Sequence, residues 1–220
     1  RGLGPSLDGD QVGVSDGGRP LGGTRSSGDD PSAALEVRIA YPDWVATAVD
    51  WERPYATDVE KMRLAIRLSR ENVARGTGGP FGAAIVESAT GRLVSVGVNS
   101  VGRLHNAALH GEMVAFMMAQ RRLGAFSLAA PGLPAHELIA SCDPCAMCLG
   151  AILWSGVKRV VCGAAREDAT RLRFDEGPVF PESYTYLEDR GIAIVRQVCR
   201  DEAVDVLEQY RRTGGVIYNP

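Results

Sequence analysis

Cys145 and Cys148 stand three residues apart, directly after Pro144. A proline in that position reads as the first residue of a helix. Residues i and i+3 share a helix face, so both sulfurs can converge on one point. A helix N-terminus carries partial positive charge, which lowers thiol pKa and favours thiolate. Two thiolates so placed are half of a zinc site. His110 can be a third ligand, and three ligands with a fourth position open is the catalytic pattern of zinc. Glu112, two residues from His110, is then the base within reach. A carboxylate there can take a proton from water and return it to substrate and leaving group. Cys142 extends the pair to Cys-x2-Cys-x2-Cys, the opening of an iron–sulfur pattern. That pattern needs a fourth thiolate. Cys162 lies in an apolar strand and Cys199 near a helix start, where both read as buried thiols. An iron–sulfur cluster would also leave His110 and Glu112 without a purpose. A redox pair at Cys145 and Cys148 is a third reading, which zinc would suppress. Cys142 reads as a core residue at a strand end.

The elements that position these residues follow from periodicity. Thr57 caps a helix over 58–75, with Glu60 at the capping-box position. Its apolar stripe is Val59, Met62, Ile66, Ser69 and Val73. Residues 81–87 and 93–99 form a hairpin of strands around Thr90 and Gly91, followed by a loop over 100–109. A helix from Glu112 to near Gly124 places His110 and Glu112 at its first turn, with Phe116, Met117 and Met118 as core packing. Strand 136–142, the cysteine helix 145–155 and strand 158–163 form a parallel crossover. The segment 166–188 reads as mixed, with Gly177-Pro178 and Pro181 forcing irregular backbone. A last strand over 192–198 precedes a helix capped by Asp201 and running to about Arg212. The expected fold is α/β, a three-layer α/β/α sandwich on a mixed five-stranded sheet: a hairpin, then parallel strands.

At 220 residues, with 45% hydrophobic and 23% charged residues, the chain can bury a core. Residues 1–35 are rich in Gly, Ser, Asp and Pro without apolar periodicity, and read as a disordered tail. No strand precedes their glycines and no Gly-Lys-Ser/Thr follows, so a phosphate loop is the weaker reading. Residues 36–56 form a lead-in whose aromatic residues pack on the domain or on a partner chain. Residues 57–220 form the zinc-site domain with its closing helix and tail. A net charge of −3 and a pI near 5.7 give no sign of a general nucleic-acid or membrane surface. No apolar run reaches the ~20 residues of a membrane span, and no signal peptide is visible. Five clustered cysteines, an odd number, point to a reducing compartment, hence the cytoplasm.

His110-Gly111-Glu112, followed 35 residues after the histidine by Pro144-Cys145-Ala146-Met147-Cys148, resembles the cytidine-deaminase-like superfamily of zinc hydrolytic deaminases. The resemblance covers residues 57 to 212. It implies one zinc ion on His110, Cys145 and Cys148, with Glu112 as general acid/base. Gly79 to Val86, Asn99 and Cys142 to Ile152 resemble the guanine deaminase, cytosine deaminase and tRNA adenosine deaminase branch. In that branch the residue matching Asn99 hydrogen-bonds the base. Arg166 to Ala169 with Phe174-Asp175-Glu176 is most similar to bacterial guanine deaminases, which implies a proton-shuttling role for Glu176. Three departures stand out. Gly111 replaces the usual Ala, Tyr186 to Gly191 is similar to the cytosine enzymes, and Arg173 replaces the usual Gly before the Phe.

The implied reaction is water attack on the ring carbon bearing an exocyclic amine. Glu112 moves the proton to the ring nitrogen, and Glu112 or Glu176 returns one to the departing ammonia. Backbone N–H groups near Cys145 and Ala146 are expected to hold the attacked centre. Asn99, Phe81, Ala83 and Asp175 are the expected substrate-facing residues. Phe81 is a pocket wall, since Gly82 and Ala83 thin the strand beside it. Asp175 also caps or braces its loop. Trp154 reads as core or dimer interface. Tyr218 reads as part of a frayed end, with insertion into a neighbouring active site as the alternative.

The leading function is deamination of a free purine base, guanine first. A cytosine-type or aminotriazine substrate comes second. Editing of tRNA adenosine is disfavoured by the acidic pI. A structural zinc protein has no use for Glu112. The resemblance implies a homodimer and a small heterocyclic base or nucleoside as ligand; the acidic pI and the lack of a long apolar run argue against nucleic acid and membrane as partners.

Overall fold

Thr57 starts the first long helix as its sequence dictates. Its hydroxyl accepts the Glu60 N–H at 3.2 Å and the Glu60 carboxylate accepts the Thr57 N–H at 3.1 Å, a closed capping box. The computed structural model describes residues 37–219, so the expected tail over 1–35 lies outside the described residues. Residues 39–219 belong to one unit. In chain order it contains α1 (Val45–Ala48), α2 (Asp58–Ala74), β1 (Gly82–Glu87), β2 (Leu93–Val98), α3 (Val101–Leu104) and α4 (Gly111–Leu123). Then come β3 (His136–Cys142), α5 (Ala146–Ser155), β4 (Arg159–Ala164), α6 (Arg166–Arg171), α7 (Pro181–Asp189), β5 (Ala193–Val195) and α8 (Arg200–Arg212).

The described strands form one sheet in the order β2-β1-β3-β4-β5. β1 runs antiparallel to both β2 and β3, whereas β3, β4 and β5 are parallel. This is the expected mixed sheet of a three-layer α/β/α sandwich. On one face, Met62, Ile66 and Leu68 of α2 and Val206 and Leu207 of α8 pack with Val86, Ile139 and Val161. On the other, Ala115 and Phe116 of α4, Leu149 and Ile152 of α5 and Leu187 of α7 pack with Ile85, Leu138 and Val160. Gly97 lets α4 lie this close to β2, because a Cβ there would fall 1.9 Å from the Gly111 carbonyl oxygen. Among the described residues no helix is long and apolar enough to cross a membrane.

The lead-in is part of the core. Trp44, Val45, Val49 and Tyr55 are buried with α2. Trp44 Nε1 donates to Thr77 Oγ1 at 3.1 Å.

Several local expectations need correction. Pro144 is not the first helical residue: Cys145 is the extended N-cap of α5, so Pro144 lies one place outside. Asp201 does not cap α8. Cys199 does, in the left-handed region at φ 52°, and Asp201 falls in the first turn. The segment 166–188 is mixed as expected, irregular through Gly177 and Pro178 between α6 and α7, but Pro181 opens α7 rather than breaking the chain, since its missing N–H costs nothing at a helix start. β5 is three residues long because its edge is used only where it pairs with Arg159 to Val161. Val59 is exposed rather than on the α2 stripe, and Met117 and Met118 are only half-buried.

Candidate active site

Two helix starts meet at one point. His110 is the N-cap of α4 and Cys145 the N-cap of α5, both with extended backbone. An N-cap side chain projects ahead of the helix, beside its unpaired N–H groups. Cys148 follows one turn into α5. His110 Nδ1 lies 3.5 Å from Cys145 Sγ and 3.7 Å from Cys148 Sγ. One ligand atom from each of the three residues lies within 4.8 Å of the others.

The donor set fits zinc. With Zn–N near 2.0–2.1 Å and Zn–S near 2.3 Å, tetrahedral geometry separates nitrogen from sulfur by about 3.6 Å, and the observed separations bracket that distance. The electrostatics agree. The Cys145 thiol is pushed down to about 4 by the contact with Cys148, against burial, with His110 helping. The proton the sulfurs share stays on Cys148, whose thiol is raised by Cys145 and by burial. Burial pushes the His110 imidazole down, but contacts with Cys145 and the charges of Glu112 and Glu176 outweigh it, so the net direction is up. This is a cluster with an excess of negative charge, which a divalent cation neutralises. Cys142 stands apart: buried, its Sγ faces the Ala165 carbonyl oxygen at 3.8 Å, and burial pushes its thiol up. It is a packing residue, as its strand-end position suggested.

Beside the cluster lies a cavity of about 550 Å³. Phe81, His110, Glu112, Cys145, Phe174, Glu176 and Tyr218 are among its lining. Glu112, in the first turn of α4, is buried, and burial raises its carboxyl. Glu176 is pushed up to about 8 by burial, then by Cys145 and Glu112. Two carboxyl groups with weakened acidity thus face one cavity, suited to passing protons at neutral pH.

The expected substrate-facing residues divide. Phe81 lines the cavity and meets Phe174 edge-on at 5.0 Å between ring centroids. Asp175 also lines it, with its Oδ1 accepting the Gly177 N–H at 2.8 Å, as a loop brace does. Asn99 is fully buried; its Oδ1 accepts the Gly79 N–H at 3.3 Å, while its Nδ2 has no partner among the described residues. Asn99 is not part of the cavity lining, and a buried amide with a spare donor is short of an acceptor. Ala83 lies elsewhere: it is buried among the apolar side chains under α4, paired with Gly97 and Ala140, and is not part of the lining. In a strand, side chains alternate faces, and the phase of Ala83 takes it into the core.

The backbone N–H of Ala146 is not free to hold a reacting centre. It donates to the Glu176 carbonyl oxygen at 2.9 Å, so the expected role of that group is withdrawn. The bond instead ties the Glu176 loop to the cysteine helix.

The tail is ordered against the site rather than frayed. Tyr218 Oη is buried without a partner among the described residues, and the ring lies 5.3 Å from Phe174 and 6.4 Å from His110, between centroids. Gly79 makes room for it: a Cβ there would come within 2.4 Å of Tyr218 Oη. Asn219 clamps the facing loop, with Nδ2 donating to the Arg173 carbonyl at 2.6 Å and Oδ1 accepting the Asp175 N–H at 3.0 Å. Sequence reading missed Asn219 and also Asp143, which lines the cavity. Its place between Cys142 and Pro144 was the available signal.

Residues 56–164 match the family described as the cytidine and deoxycytidylate deaminase zinc-binding region. The chain is 35% identical over 150 residues to the guanine deaminase of Bacillus subtilis (strain 168), spanning 68% of this chain and 91% of that protein. The solved structure of a guanine deaminase from Nitrosomonas europaea is 37% identical, covers 80% of this chain and 97% of its own, and has a TM-score of 0.77. The structure of NE0047 in complex with 2,6-diaminopurine is 39% identical, covers 84% and 97%, and has a TM-score of 0.79.

Proposed function

Since the chain belongs to the cytidine and deoxycytidylate deaminase zinc-binding family, we propose that it hydrolyses the exocyclic amine of free guanine, giving xanthine and ammonia. The observation that carries this reading is the second carboxyl group. Glu176 and Glu112 both line a cavity that Tyr218 and Asn219 of the chain's own tail also line. A purine offers ring N–H and amine donors to carboxylates, and its faces suit Phe81, Phe174 and Tyr218. A tail clamped by Asn219 leaves a chamber for a base and crowds a folded RNA stem. The relatives named guanine deaminase, and the diaminopurine held by NE0047, support the same choice.

His110, Cys145 and Cys148 hold one zinc ion per chain, which supplies Lewis-acid activation of water when bound. Glu112 takes the proton of the attacking water and delivers it to the ring nitrogen beside the attacked carbon. Glu176, protonated before turnover, gives its proton to the departing amine, which leaves as ammonia; Glu112 takes the proton of the new hydroxyl as it becomes the carbonyl, and that proton restores Glu176. Asn99 Nδ2 donates to an acceptor on the base. Phe81 and Phe174 exclude water from the faces of the ring. Asp175 braces the loop that carries Glu176.

The protein works as a homodimer in the cytoplasm. Trp154 is 79% exposed on α5, with Met147 exposed two turns earlier on the same face, and such apolar side chains favour a partner surface. The five cysteines are free thiols, which suits a reducing compartment.

A panel of guanine, cytosine, adenine, their nucleosides and ammeline, scored for ammonia release, tests the substrate. Guanine is expected to turn over fastest. Release from cytosine or ammeline alone would move the assignment to those heterocycles. Inosine formed in a tRNA anticodon stem-loop, without release from any free base, would overturn it.

A further inference from the structure

We propose that Arg196, outside the cavity, is a positioning residue that acts through Asp143 to hold the Glu176 loop in register with the cysteine helix. The inference rests on the reading above that Glu176 takes part in deamination.

Asp143 joins the end of β3 to the start of α5. Its side chain is wholly buried, although it borders the cavity. Arg196 follows β5, and its Nε donates to the two Asp143 oxygens at 3.2 and 3.1 Å while Nη2 meets Oδ2. The Arg166 N–H donates to Oδ2 at 3.2 Å. From the same residue, Arg166 Nη1 reaches out to the Val179 carbonyl oxygen at 3.1 Å. The Ala146 N–H, three residues after Asp143, binds the Glu176 carbonyl oxygen at 2.9 Å. The loop that carries Glu176 is therefore fastened at two points, and both lead back to Asp143.

Arg196 is the one side-chain cation on this buried carboxylate among the described contacts. Its planar fork spans both oxygens, which an ammonium cannot do. Tyr184 of α7 backs the guanidinium, whose carbon lies 4.7 Å from the ring centroid. Without Arg196, a buried carboxylate would keep only the Arg166 backbone N–H and the weak Cys162 thiol as donors. It would turn toward water in the adjoining cavity, carrying the Arg166 backbone and the loop anchors with it. His110, Cys145 and Cys148 would stay on their helix starts, since β3 remains paired to β4 from Glu137 to Cys142.

The test is R196M in the zinc-loaded protein, with amide exchange and turnover as readouts. The Ala146 N–H is expected to exchange about tenfold faster, with Ile139 and Val161 unchanged, because the opening is local. Guanine kcat is expected to fall about tenfold in the wild-type background and less than twofold in an E176Q background, because a residue acting through Glu176 is not additive with its loss. R196K, which keeps the charge but loses the fork, should give the same pattern at smaller amplitude, and replaces R196M if that variant does not fold. Faster exchange across the whole sheet, an unchanged Ala146 amide, or equal kcat losses in both backgrounds would overturn the proposal. If no base is turned over, guanine deamination fails as a reading while the exchange pattern still decides the role of Arg196.

Discussion

The two walls of the cavity are built by different physics. One wall is the pair of helix starts that carries His110, Glu112, Cys145 and Cys148. It is fixed by regular structure: strands β2 and β3 deliver the chain, α4 and α5 carry it away, and the ligands occupy N-cap and first-turn positions. The other wall is the loop from Phe174 to Gly177 with Tyr218 and Asn219 of the tail. Side chains binding backbone across long separations fix it, as when Asn219 grips Arg173 and Asp175 over 46 and 44 residues. A wall made of helix ends resists change because the sheet must move first. A wall made of a few clamps can be retuned by single residues, and substrate choice belongs there.

The largest effects should separate the two functions of the first wall. C145A is expected to lose the metal and all measurable turnover, because one thiolate and an imidazole cannot hold zinc at catalytic affinity. E112Q is expected to keep one zinc per chain and to lower kcat by about 10²- to 10⁴-fold, the range for removing a general acid/base. Metal content by emission spectroscopy beside guanine kinetics checks both. Zinc lost from E112Q would mean that Glu112 shapes the metal site itself.

On the second wall, Y218A should raise KM for guanine about tenfold, on the scale of one stacking contact, with zinc content unchanged. G79A should do the same without touching Tyr218, because its new Cβ would occupy the place of the Tyr218 hydroxyl. The double variant should be no worse than either single one. Additive losses would show that Gly79 and Tyr218 serve the substrate separately, and would break the picture of the tail as one clamp.

How much of each wall could be read from sequence follows the same division. Ligand spacing is set by helix geometry, which repeats in every protein, so His110, Cys145, Cys148 and Glu112 were legible from types and offsets alone. The strand order followed from a hairpin and a crossover. Asn219 and Arg196 were invisible, and Asp143 offered only its place between Cys142 and Pro144, because their partners lie 23 to 53 residues away and no local period encodes such contacts. Arg173 was read only as a departure from a family glycine. The structure explains the glycine and not the arginine: Arg173 sits at φ 73°, in the left-handed region where a Cβ is strained. Ala83 failed for a simpler reason. A thinned strand signals close approach, and what approached was α4 rather than a ligand.

Arg173 allows a finer test of the second wall. R173G should be more stable than R173A by about 1 kcal/mol, since glycine relieves the left-handed strain and alanine keeps it. Denaturant melts of the two variants measure the difference. KM should change less than twofold in R173G, because the Asn219 bond uses the Arg173 backbone and not its side chain. A large KM change would assign the guanidinium itself to the substrate.

The smallest expected effect lies at the other end of β3, away from both walls. There Glu137 is buried with Lys61 at 2.5 Å and Arg159 at 2.7 Å, and Arg159 also reaches Asp58 at 2.5 Å. The hydrogen bond from Arg159 holds the Asp58 carboxyl below the usual carboxylate range, against burial. The folded protein therefore binds this proton less readily than the unfolded chain. The resulting stability is present above the unfolded pKa of about 3.9 and is lost as pH falls through the lower folded value. Both partners are about a third exposed, so solvent screening limits the contribution to under about 1 kcal/mol. D58N should consequently melt slightly below the parent at pH 7, and the gap should close as pH falls below about 4. Zinc content and KM should not move. If KM did move, the ion cluster at the start of β3 would be communicating with the helix starts at its end, and the strand would no longer count as the rigid support on which the first wall stands.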